Sequence, residues 1–386
     1  MYKIKTYNKI SKTGLANFDD KYTIGDEIEN PDGAIVRSAS LHEETFSDNL
    51  LAIARAGAGT NNIPIDKCTE KGIVVFNTPG ANANAVKELV IAGLLLGSRR
   101  IYPAMNWAQN LDEANGDIGK QVEKGKGAFA GPEIKGKTLG IIGLGAIGVL
   151  VANAANHLGM KVYGYDPYLS VKSAWNLTHN AVYVKDIKEI YAKCDYITVH
   201  VPLLDSTKNT ICADTIKLMK DGVRILNFAR GGLVNSADIV EALNSGKVAS
   251  YVTDFPDKTL LGVDGVVAIP HLGASTPESE ENCATMASHE LIDYIENGNI
   301  SNSVNMPEIE MPRSGDKRIC IIHKNIPNVL NTITAKISEY GANIENLLNK
   351  SKGEYAYTML DVTAVDYDAI ITGLLAEESV IKARAI

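Results

Sequence analysis

A glycine-rich turn follows the apolar run 138–142, and its spacing could carry chemistry. Its glycines are Gly143, Gly145 and Gly148. The first would make a tight turn, the second would let a pyrophosphate reach the backbone, and the third would let helix and strand pack closely. A helix beginning near Ala146 and Ile147 would offer unpaired N–H groups to the phosphates. Asp166, which closes the next apolar run, would bind ribose hydroxyls and repel a 2′-phosphate, so the spacing predicts a site for NAD rather than NADP.

Two further side chains could complete a redox site, since Arg230 and His271 each follow an apolar run. A guanidinium can hold the carboxylate of a 2-hydroxy or 2-keto acid, and an imidazole can exchange the hydroxyl proton. Each residue also has a plainer interpretation, because Arg230 could cap a helix or pair at the surface and His271 could be a hydrogen-bonded turn residue. Beside a dinucleotide site, the two predict hydride transfer to or from such an acid.

The elements that must position these residues alternate between apolar strands and helical patterns from Thr138 to Pro270, which predicts a parallel sheet with helices on both faces. The predicted strands are 139–142, 161–165, 196–200, 224–227, 249–253 and 266–269. Ligands bind at the carboxyl ends of such strands, where Arg230 and His271 lie. A smaller alternation before residue 100 predicts a second α/β domain. Its strands are 34–37, 51–54 and 74–77.

The predicted fold class is α/β, with two Rossmann-like doubly wound parallel-sheet domains and a small α+β domain at the C-terminal end. We expect the first domain to be discontinuous, covering 1–100 and 275–305, because a helical segment after Ser275 would cross back to it. The dinucleotide domain would span 101–274, and 306–316 would be a linker. The pattern of apolar residues in 317–386 predicts the order strand, helix, strand, strand, helix, strand.

Composition and charge exclude several classes of protein. The 386 residues are 45% hydrophobic and 22% charged, and a net charge of −8 argues against a nucleic-acid partner and suits a cytoplasmic enzyme. The five cysteines have no metal-like spacing, so we expect reduced thiols and no metal. The longest uncharged apolar stretch, 89–97, is too short to span a bilayer, and the first residues lack a signal-peptide core, so we expect neither a membrane partner nor export.

Motifs along nearly the whole chain resemble those of the D-isomer-specific 2-hydroxyacid dehydrogenases. They are V-R-S at 36–38, R-A-G-A-G at 55–59, N-T-P at 77–79, the glycine turn with Asp166, H-V-P-L at 200–203, N-F-A-R-G-G at 227–232 and H-L-G-A-S-T at 271–276. The resemblance implies an active site in a cleft between two Rossmann-like domains, with Arg230 on the substrate carboxylate, His271 as acid/base, and backbone around Ala56 and Gly57 also holding the carboxylate. The residues that it implies for the cofactor are Thr78, Gly143, Gly145, Ala146, Ile147, Gly148, Asp166, Val201, Pro202, Thr207, Ala229, Asp254, Gly273 and Ala274.

The third catalytic group of that family is a glutamate in a D-V-F-x-x-E-P segment, whereas this chain has T-D-F-P-D-K at 253–258. Asp257 is the nearest carboxylate, and we assign it the family role. If Asp257 reaches His271, its charge would raise the pKa of the imidazole. The alternative is a solvated turn aspartate. Ala146 stands where the family often has arginine, so one pyrophosphate contact would be lost.

A phosphorylated substrate needs a cation apart from the carboxylate site, and Arg37 with Ser38 follows a strand of the first domain. Family members that act on 3-phosphoglycerate use this position for the phosphate. The resemblance therefore implies NAD-dependent oxidation of 3-phospho-D-glycerate, the first step of L-serine biosynthesis. A surface ion pair is the alternative for Arg37. Two rival functions stay open: a glyoxylate or hydroxypyruvate reductase or another D-2-hydroxyacid dehydrogenase, and a non-enzymatic sensor of NAD or serine.

The segment I-I-H-K-N-I-P-N-V-L at 321–330, together with Asn343 and Ile344, resembles the start of an ACT domain, a small amino-acid-sensing module. In family members that serine inhibits, positions matching His323, Asn325 and Asn343 bind serine between paired domains. The resemblance implies a serine effector and a homo-oligomer, dimer or tetramer. Asn328 replaces the usual glycine, and a purely structural dimerisation domain is the alternative.

Overall fold

Short apolar strands build two parallel sheets, and a third, antiparallel sheet lies at the C-terminal end of the chain, which confirms the predicted fold class. A computed structural model describes residues 1–314, 317–363 and 366–386. The chain divides into two units, one made of residues 1–81 and 277–386 and the other of residues 82–276. Among the described residues, no helix combines the length and the apolar character needed to cross a membrane.

The elements follow one another along the chain in three groups. The first group is β1 (Tyr2–Tyr7), α1 (Lys12–Leu15), β2 (Tyr22–Gly25), β3 (Gly33–Val36), β4 (Ala52–Arg55), α2 (Ile65–Glu70) and β5 (Val74–Asn77). The second is α3 (Ala83–Ser98), α4 (Ile101–Gln109), α5 (Ile118–Gly125), β6 (Thr138–Ile142), α6 (Ala146–His157), β7 (Lys161–Tyr165), α7 (Val171–Asn176), β8 (Val182–Tyr183), α8 (Ile187–Lys193), β9 (Tyr196–Val199), α9 (Ala213–Lys217), β10 (Val223–Asn227), α10 (Ser236–Asn244), β11 (Val248–Thr253) and β12 (Val266–Ala268). The third is α11 (Pro277–Asn297), β13 (Lys317–Lys324), α12 (Val329–Glu339), β14 (Asn343–Lys352), β15 (Tyr355–Thr363), α13 (Tyr367–Leu375) and β16 (Val380–Ala385).

The first sheet has the order β2-β1-β3-β4-β5 and is parallel throughout. Its three predicted strands, β3, β4 and β5, are confirmed within one residue, whereas β1 and β2 were not among them. Val36 pairs with Arg55 in the register of β3 and β4, so Arg37 and Arg55 come at the carboxyl ends of neighbouring strands. The sheet therefore brings two cations to one edge, where parallel sheets bind ligands.

The second sheet has the order β12-β11-β10-β9-β6-β7-β8, also parallel. All six predicted strands are confirmed, and the short edge strand β8 was not predicted. Strand β6 lies between β9 and β7, so the strand order reverses there. The crevice beside such a reversal is where open α/β sheets bind ligands, and the glycine turn follows β6 directly.

Helix α3 belongs to the second unit, whereas the predicted boundaries put it in the first domain. The reason lies in its packing. A Cβ atom at Gly93 would come within 2.7 Å of Phe228, and one at Gly97 within 3.1 Å of Val252, so small residues let α3 approach β10 and β11 closely. The domain boundary was placed from the pattern of strands, which gives no indication of the sheet on which this helix packs.

The C-terminal elements follow the predicted order strand, helix, strand, strand, helix, strand, and their antiparallel sheet has the order β14-β15-β13-β16. One face packs on α12 and α13, whereas the other joins the core around α11. At that contact the Tyr357 hydroxyl donates to the carbonyl of Gly298 at 2.8 Å, and the Arg384 guanidinium lies 4.6 Å from the centre of the Tyr294 ring. The C-terminal sheet and the first sheet therefore share one hydrophobic core.

The predicted linker 306–316 packs on the core in its first half, 306–311. Met306, Ile309 and Met311 are buried in the same core as α11, and Ile309 pairs with Ile300 in a short antiparallel bridge. Gly315 and Asp316, the last two residues of the predicted linker, lie outside the described residues.

Candidate active site

The glycine turn has the steric features expected of a pyrophosphate cradle. Gly143 has φ +98°, and a Cβ atom there would come within 2.6 Å of the carbonyl oxygen of His200. A Cβ atom at Gly148 would overlap the carbonyl oxygen of Gly143, whereas one at Gly145 would meet nothing within 4 Å. The first and third glycines are therefore required by the fold, and the second leaves open space in front of the first residues of α6, Ala146 and Ile147.

Asp166 closes this site from the neighbouring strand. Its carboxylate accepts hydrogen bonds from the backbone N–H groups of Leu144 and Tyr168, each at 2.8 Å. These bonds fix the carboxylate beside the glycine turn at the end of β7. The cradle and the fixed acid fit the pyrophosphate and ribose of a dinucleotide.

The segment after β9 borders the same turn. Val201 lies within 2.9 Å of a Cβ atom built on Gly143, so its side chain contacts the turn. Thr207 accepts a hydrogen bond from the N–H of Leu204 and donates to the carbonyl of Pro202 at 2.6 Å. The hydroxyl of Thr207 thus shapes the loop that begins at Pro202.

Asn227, at the end of β10, organises the turn that carries Arg230. Its side-chain amide donates to the carbonyl of Arg230 at 2.9 Å, and its amide oxygen accepts from the N–H of Ala229 at 3.2 Å. The exposed guanidinium of Arg230 donates to the carbonyl of Ala229 and makes no ion pair with any described residue. It is therefore available to an anionic ligand.

Arg230 lies close enough to His271 and Asp254 for its charge to act on both. Burial lowers the pKa of His271, and the positive charge of Arg230 lowers it further. Burial raises the pKa of Asp254 to about 6, against the opposing effect of Arg230. The structure thus brings together the predicted guanidinium, imidazole and cofactor carboxylate within the second unit.

The His271 ring contacts an aromatic side chain, and the Asp254 carboxylate is buried. His271 is exposed, its ring centre lies 4.5 Å from that of Phe255, and it has no hydrogen bond or ion pair with the part of the chain that is described. Both carboxylate oxygens of Asp254 are buried and make no well-aligned hydrogen bond to a described residue, although the backbone N–H groups of Asp254 and Gly273 lie close enough to act against the rise of its pKa. Gly273 lies against Asp254 and Val86, and Ala274 follows it. A buried carboxylate without a well-aligned partner fits the amide group of a nicotinamide, which carries N–H donors.

Asp257 has other partners than His271. It accepts hydrogen bonds from the Ser236 hydroxyl and from the N–H of Thr259 at 2.8 Å. Burial raises the pKa of Asp257, but the bonds from Ser236 and Thr259 outweigh it and hold the pKa below its usual value. Asp257 therefore ties its loop to the start of α10, and the family role assigned to it stays a prediction.

The first unit holds the predicted phosphate residue in an ion pair. Arg37 Nη2 lies 2.7 Å from Glu280 Oε1, and both side chains are about half exposed. Ser38 is exposed, and its N–H donates to the side chain of Asn8 at 3.1 Å. At the end of the next strand, Ala56 donates its N–H to the carbonyl of Val36 at 2.8 Å. The ion pair is the alternative that the sequence left open for Arg37.

Gly57 and Thr78 continue this edge of the first unit. The N–H of Thr78 donates to the carbonyl of Gly57 at 3.1 Å. The Thr78 hydroxyl is buried beside the Cys283 thiol, whose pKa it acts to lower, and it has no other hydrogen-bond partner among the described residues. A buried hydroxyl of this kind can donate to or accept from a ligand, as expected for a cofactor contact.

The residues predicted to bind serine are separated within one copy of the chain. His323 is only 2% exposed, and its ring nitrogens bond to the Lys324 carbonyl at 2.9 Å and to Thr358 Oγ1 at 2.8 Å. Asn325 donates to the carbonyl of Gly353 at 3.0 Å, near the same end of the sheet. Asn343 begins β14 opposite Thr363, at the other end of the sheet from His323.

Three residues near these sites were missed by the sequence analysis. Glu280 pairs with Arg37, Phe255 contacts the His271 ring, and Ser236 bonds to Asp257. Phe255 lies within the T-D-F-P-D-K segment, and Glu280 follows the H-L-G-A-S-T motif by four residues; these positions are the only signal that the sequence offers. The pairing of Arg37 with Glu280 joins distant parts of the chain and has no signature in spacing.

Comparisons with known proteins agree with this geometry. The family model described as D-isomer specific 2-hydroxyacid dehydrogenase, NAD binding domain, matches residues 101–273. A D-3-phosphoglycerate dehydrogenase of Methanocaldococcus jannaschii is 32% identical over 97% of this chain and 69% of its own length. A cofactor-bound 3-phosphoglycerate dehydrogenase in Entamoeba histolytica is 28% identical, with a TM-score of 0.61 over 79% of this chain and 98% of its own. A glyoxylate reductase from Paecilomyes thermophila is 25% identical, with a TM-score of 0.64 over 78% of this chain and 98% of its own.

The glycine cradle, Asp166 and the buried Asp254 carboxylate fit NAD as the cofactor, and the family model describes an NAD-binding domain over the same residues. The matched relative extends the likeness to nearly the whole chain. The chain belongs to the D-isomer-specific 2-hydroxyacid dehydrogenases, a family of NAD-dependent oxidoreductases.

Proposed function

We propose that this protein oxidises 3-phospho-D-glycerate to 3-phosphohydroxypyruvate with NAD, the first step of L-serine biosynthesis. The observation that carries the proposal is Arg37, a cation at the edge of the first sheet that is distinct from Arg230 and can take a phosphate. The activity named for the relative of Methanocaldococcus jannaschii supports it.

In this mechanism Arg230 binds the substrate carboxylate through its planar guanidinium. His271 acts as the general base and takes the proton of the C2 hydroxyl, and its lowered pKa keeps the imidazole neutral and ready to do so at neutral pH. When bound, NAD supplies the acceptor for the hydride that leaves C2. Asp254 would hold the nicotinamide end of the cofactor, while Asp166 and the glycine turn would hold the adenosine and pyrophosphate.

The test is steady-state formation of NADH from 3-phosphoglycerate and from D-glycerate. We expect the Arg37→Ala variant to lose kcat/KM about tenfold to hundredfold on the phosphorylated acid, the range for one charge-assisted contact, and to change little on D-glycerate. An equal loss on both acids would contradict phosphate recognition by Arg37. Absence of turnover on any 2-hydroxy acid by the wild-type protein would favour a sensor of NAD or serine.

One observation favours a second candidate function. Arg37 is already neutralised by Glu280, as it would be in an enzyme whose substrate has no phosphate. A glyoxylate or hydroxypyruvate reductase would then be the activity, and the enzyme would prefer these keto acids to 3-phosphohydroxypyruvate in the reductive direction.

We further propose that serine binds the C-terminal sheet domain and lowers activity, and that the protein is a homo-oligomer. Asn325 and Asn343 lie at opposite ends of one sheet, so a site using both needs a second copy. NADH formation with and without millimolar L-serine tests the regulation, and light scattering gives the number of subunits. Serine that leaves both activity and melting temperature unchanged would favour a purely structural domain.

A further inference from the structure

The Arg37–Glu280 pair joins an expected phosphate subsite to the first turn of α11. Arg37 follows β3, and Glu280 is the fourth residue of the helix that begins at Pro277. Nη2 of Arg37 lies 2.7 Å from Oε1 of Glu280, with side-chain exposures of 40% and 43%. The pair is half open to solvent, and such pairs are weak because water and salt screen the attraction.

A second cation lies at the same edge of the sheet. Arg55 ends β4 in register with the last residue of β3, and Gly57 has no side chain where the Arg55 guanidinium passes. Burial raises the pKa of the Cys283 thiol, a hydrogen bond with the Thr78 side chain and the charges of Arg55 and Arg37 act to lower it, and the charge of Glu280 acts to raise it. All three charges therefore lie around Cys283, and Glu280 supplies the negative charge of this group.

We propose that Glu280 is an internal counter-ion that competes with the substrate phosphate for Arg37. The proposal rests on the proposed function, since it needs a phosphate to bind there. A phosphate dianion offers three acceptor oxygens and twice the charge of a carboxylate, so it displaces Glu280 from the guanidinium. Glu280 then turns into solvent, which its exposure permits.

The competition has a consequence for substrate choice. A substrate with a second carboxylate would replace the Glu280 carboxylate on Arg37 with another carboxylate, so the exchange would add no binding energy. A substrate with a neutral hydroxymethyl group would leave the pair in place. Only a phosphorylated acid gains from the exchange, at the cost of a weaker affinity than a free Arg37 would give.

The chain offers a matched control for this test. Glu281 is the next residue of the same helix, is exposed, and makes no ion pair with the described residues. The Glu280→Gln and Glu281→Gln variants therefore remove the same charge from almost the same place. The Arg37→Met variant, alone and combined with Glu280→Gln, completes a double-mutant cycle.

Binding of inorganic phosphate is measured by calorimetry in a chloride buffer of fixed ionic strength, and KM is measured for 3-phosphoglycerate and D-glycerate. We expect Glu280→Gln to tighten phosphate binding about twofold to fivefold, the range for a half-exposed ion pair, and to lower KM for the phosphorylated acid more than for D-glycerate. Glu281→Gln should change neither by as much. In the Arg37→Met background, Glu280→Gln should have no effect.

Several results would overturn the proposal: no gain in Glu280→Gln, an equal gain in Glu281→Gln, a gain that persists without Arg37, or no binding of phosphate by any variant. Failure of the proposed function is separate from these. If the wild-type protein oxidises no phosphorylated acid, the assigned reaction is refuted. If the Glu280→Gln variant nevertheless binds phosphate more tightly than the wild type does, the competition between Glu280 and phosphate is supported.

Discussion

Gly57 lies directly against the guanidinium of Arg55, and a Cβ atom at position 57 would overlap Nη1 of that side chain. The φ of Gly57 is +146°, a conformation that residues with a side chain rarely adopt. The absence of a side chain at Gly57 leaves space for the guanidinium of Arg55 at the end of β4, the edge of the first sheet where ligands are expected to bind.

We expect Arg55 to contact the anionic substrate from this edge, and we predict that Gly57→Ala raises KM for the substrate about tenfold or more, because Arg55 must move and that charge-assisted contact is lost. The substitution also costs about 1–3 kcal/mol of stability through backbone strain. Gly116→Ala is the control, since Gly116 has φ +107° with nothing within 4 Å of its Cβ position. It should lower the melting temperature and leave KM unchanged; an unchanged KM in Gly57→Ala would contradict the role of Arg55.

The pH dependence of oxidation should report the charge of Arg230. His271 must be neutral to accept the hydroxyl proton, so the rate falls as the pH drops through its pKa, which burial and Arg230 hold below 6.5. Replacing Arg230 with glutamine removes the charge, raises the pKa of His271 and moves the acidic limb of kcat/KM to higher pH. Arg230→Lys keeps the charge and should keep the limb in place while it raises KM. A limb that stays in place in Arg230→Gln would show that the two groups are not coupled.

Asp257→Asn distinguishes two roles of this carboxylate. An acid that acts through His271 would shift the acidic limb of the pH profile when its charge is removed. An acid that only holds Ser236 and Thr259 would leave the limb unchanged and lower the melting temperature by a few degrees, as the loss of one or two hydrogen bonds does. From the contacts of Asp257 we expect the second result, and a shifted pH profile with unchanged melting temperature would refute it.

The stability of the C-terminal sheet should depend on one buried ion pair. Arg318 Nε lies 2.7 Å from Asp361 Oδ1, and both side chains are fully buried. Arg318→Met leaves Asp361 without its cation, and we expect the free energy of unfolding, measured with urea, to fall by about 3–5 kcal/mol. Replacing Asp361 with leucine as well should recover part of the loss, because no charge is then left unpaired. If Arg318→Met is as stable as the wild type, the pair is not a stabilising element.

The same pair predicts the effect of acid. Burial acts to raise the pKa of Asp361, but the bonds from Arg318 and Ser314 hold it below the usual value. Because the folded pKa is depressed, this contribution to stability is complete above about pH 4, the unfolded value, and is lost as the pH falls through the folded pKa. The acid unfolding curve of the double variant should lack this component.

Sequence patterns were most informative where the geometry is local. Each predicted strand of the two parallel sheets is found within one residue, because buried parallel strands are apolar runs bounded by turns. The glycine turn is equally local. The atoms that exclude a side chain at Gly143 and Gly148 lie a few residues away or at the end of the adjacent strand. The short strands β2 and β8 were missed, as four and two residues carry too little periodicity to detect.

Long-range relationships were out of reach. Arg37 was identified from its motif, but its partner Glu280 comes from α11, a helix that begins only at Pro277. Asp257 was assigned from its position after Phe255, whereas its actual bonds run to Ser236, and only the packing of α10 brings these two together. His323 was singled out from a resemblance to an ACT domain, yet its burial depends on how the sheet pairs Thr358 and Asn349 with it.

The shared core of α11 and the C-terminal sheet has a practical consequence for protein engineering. Cys320 and Tyr357 cover Tyr294, and Gly298 permits the close approach of Cys320. Truncation of the chain near residue 314 would expose this aromatic surface to solvent, and we expect the truncated protein to aggregate. Moving this sheet onto another dehydrogenase, or replacing it with a different domain, would require the matching face of α11 to be transferred with it.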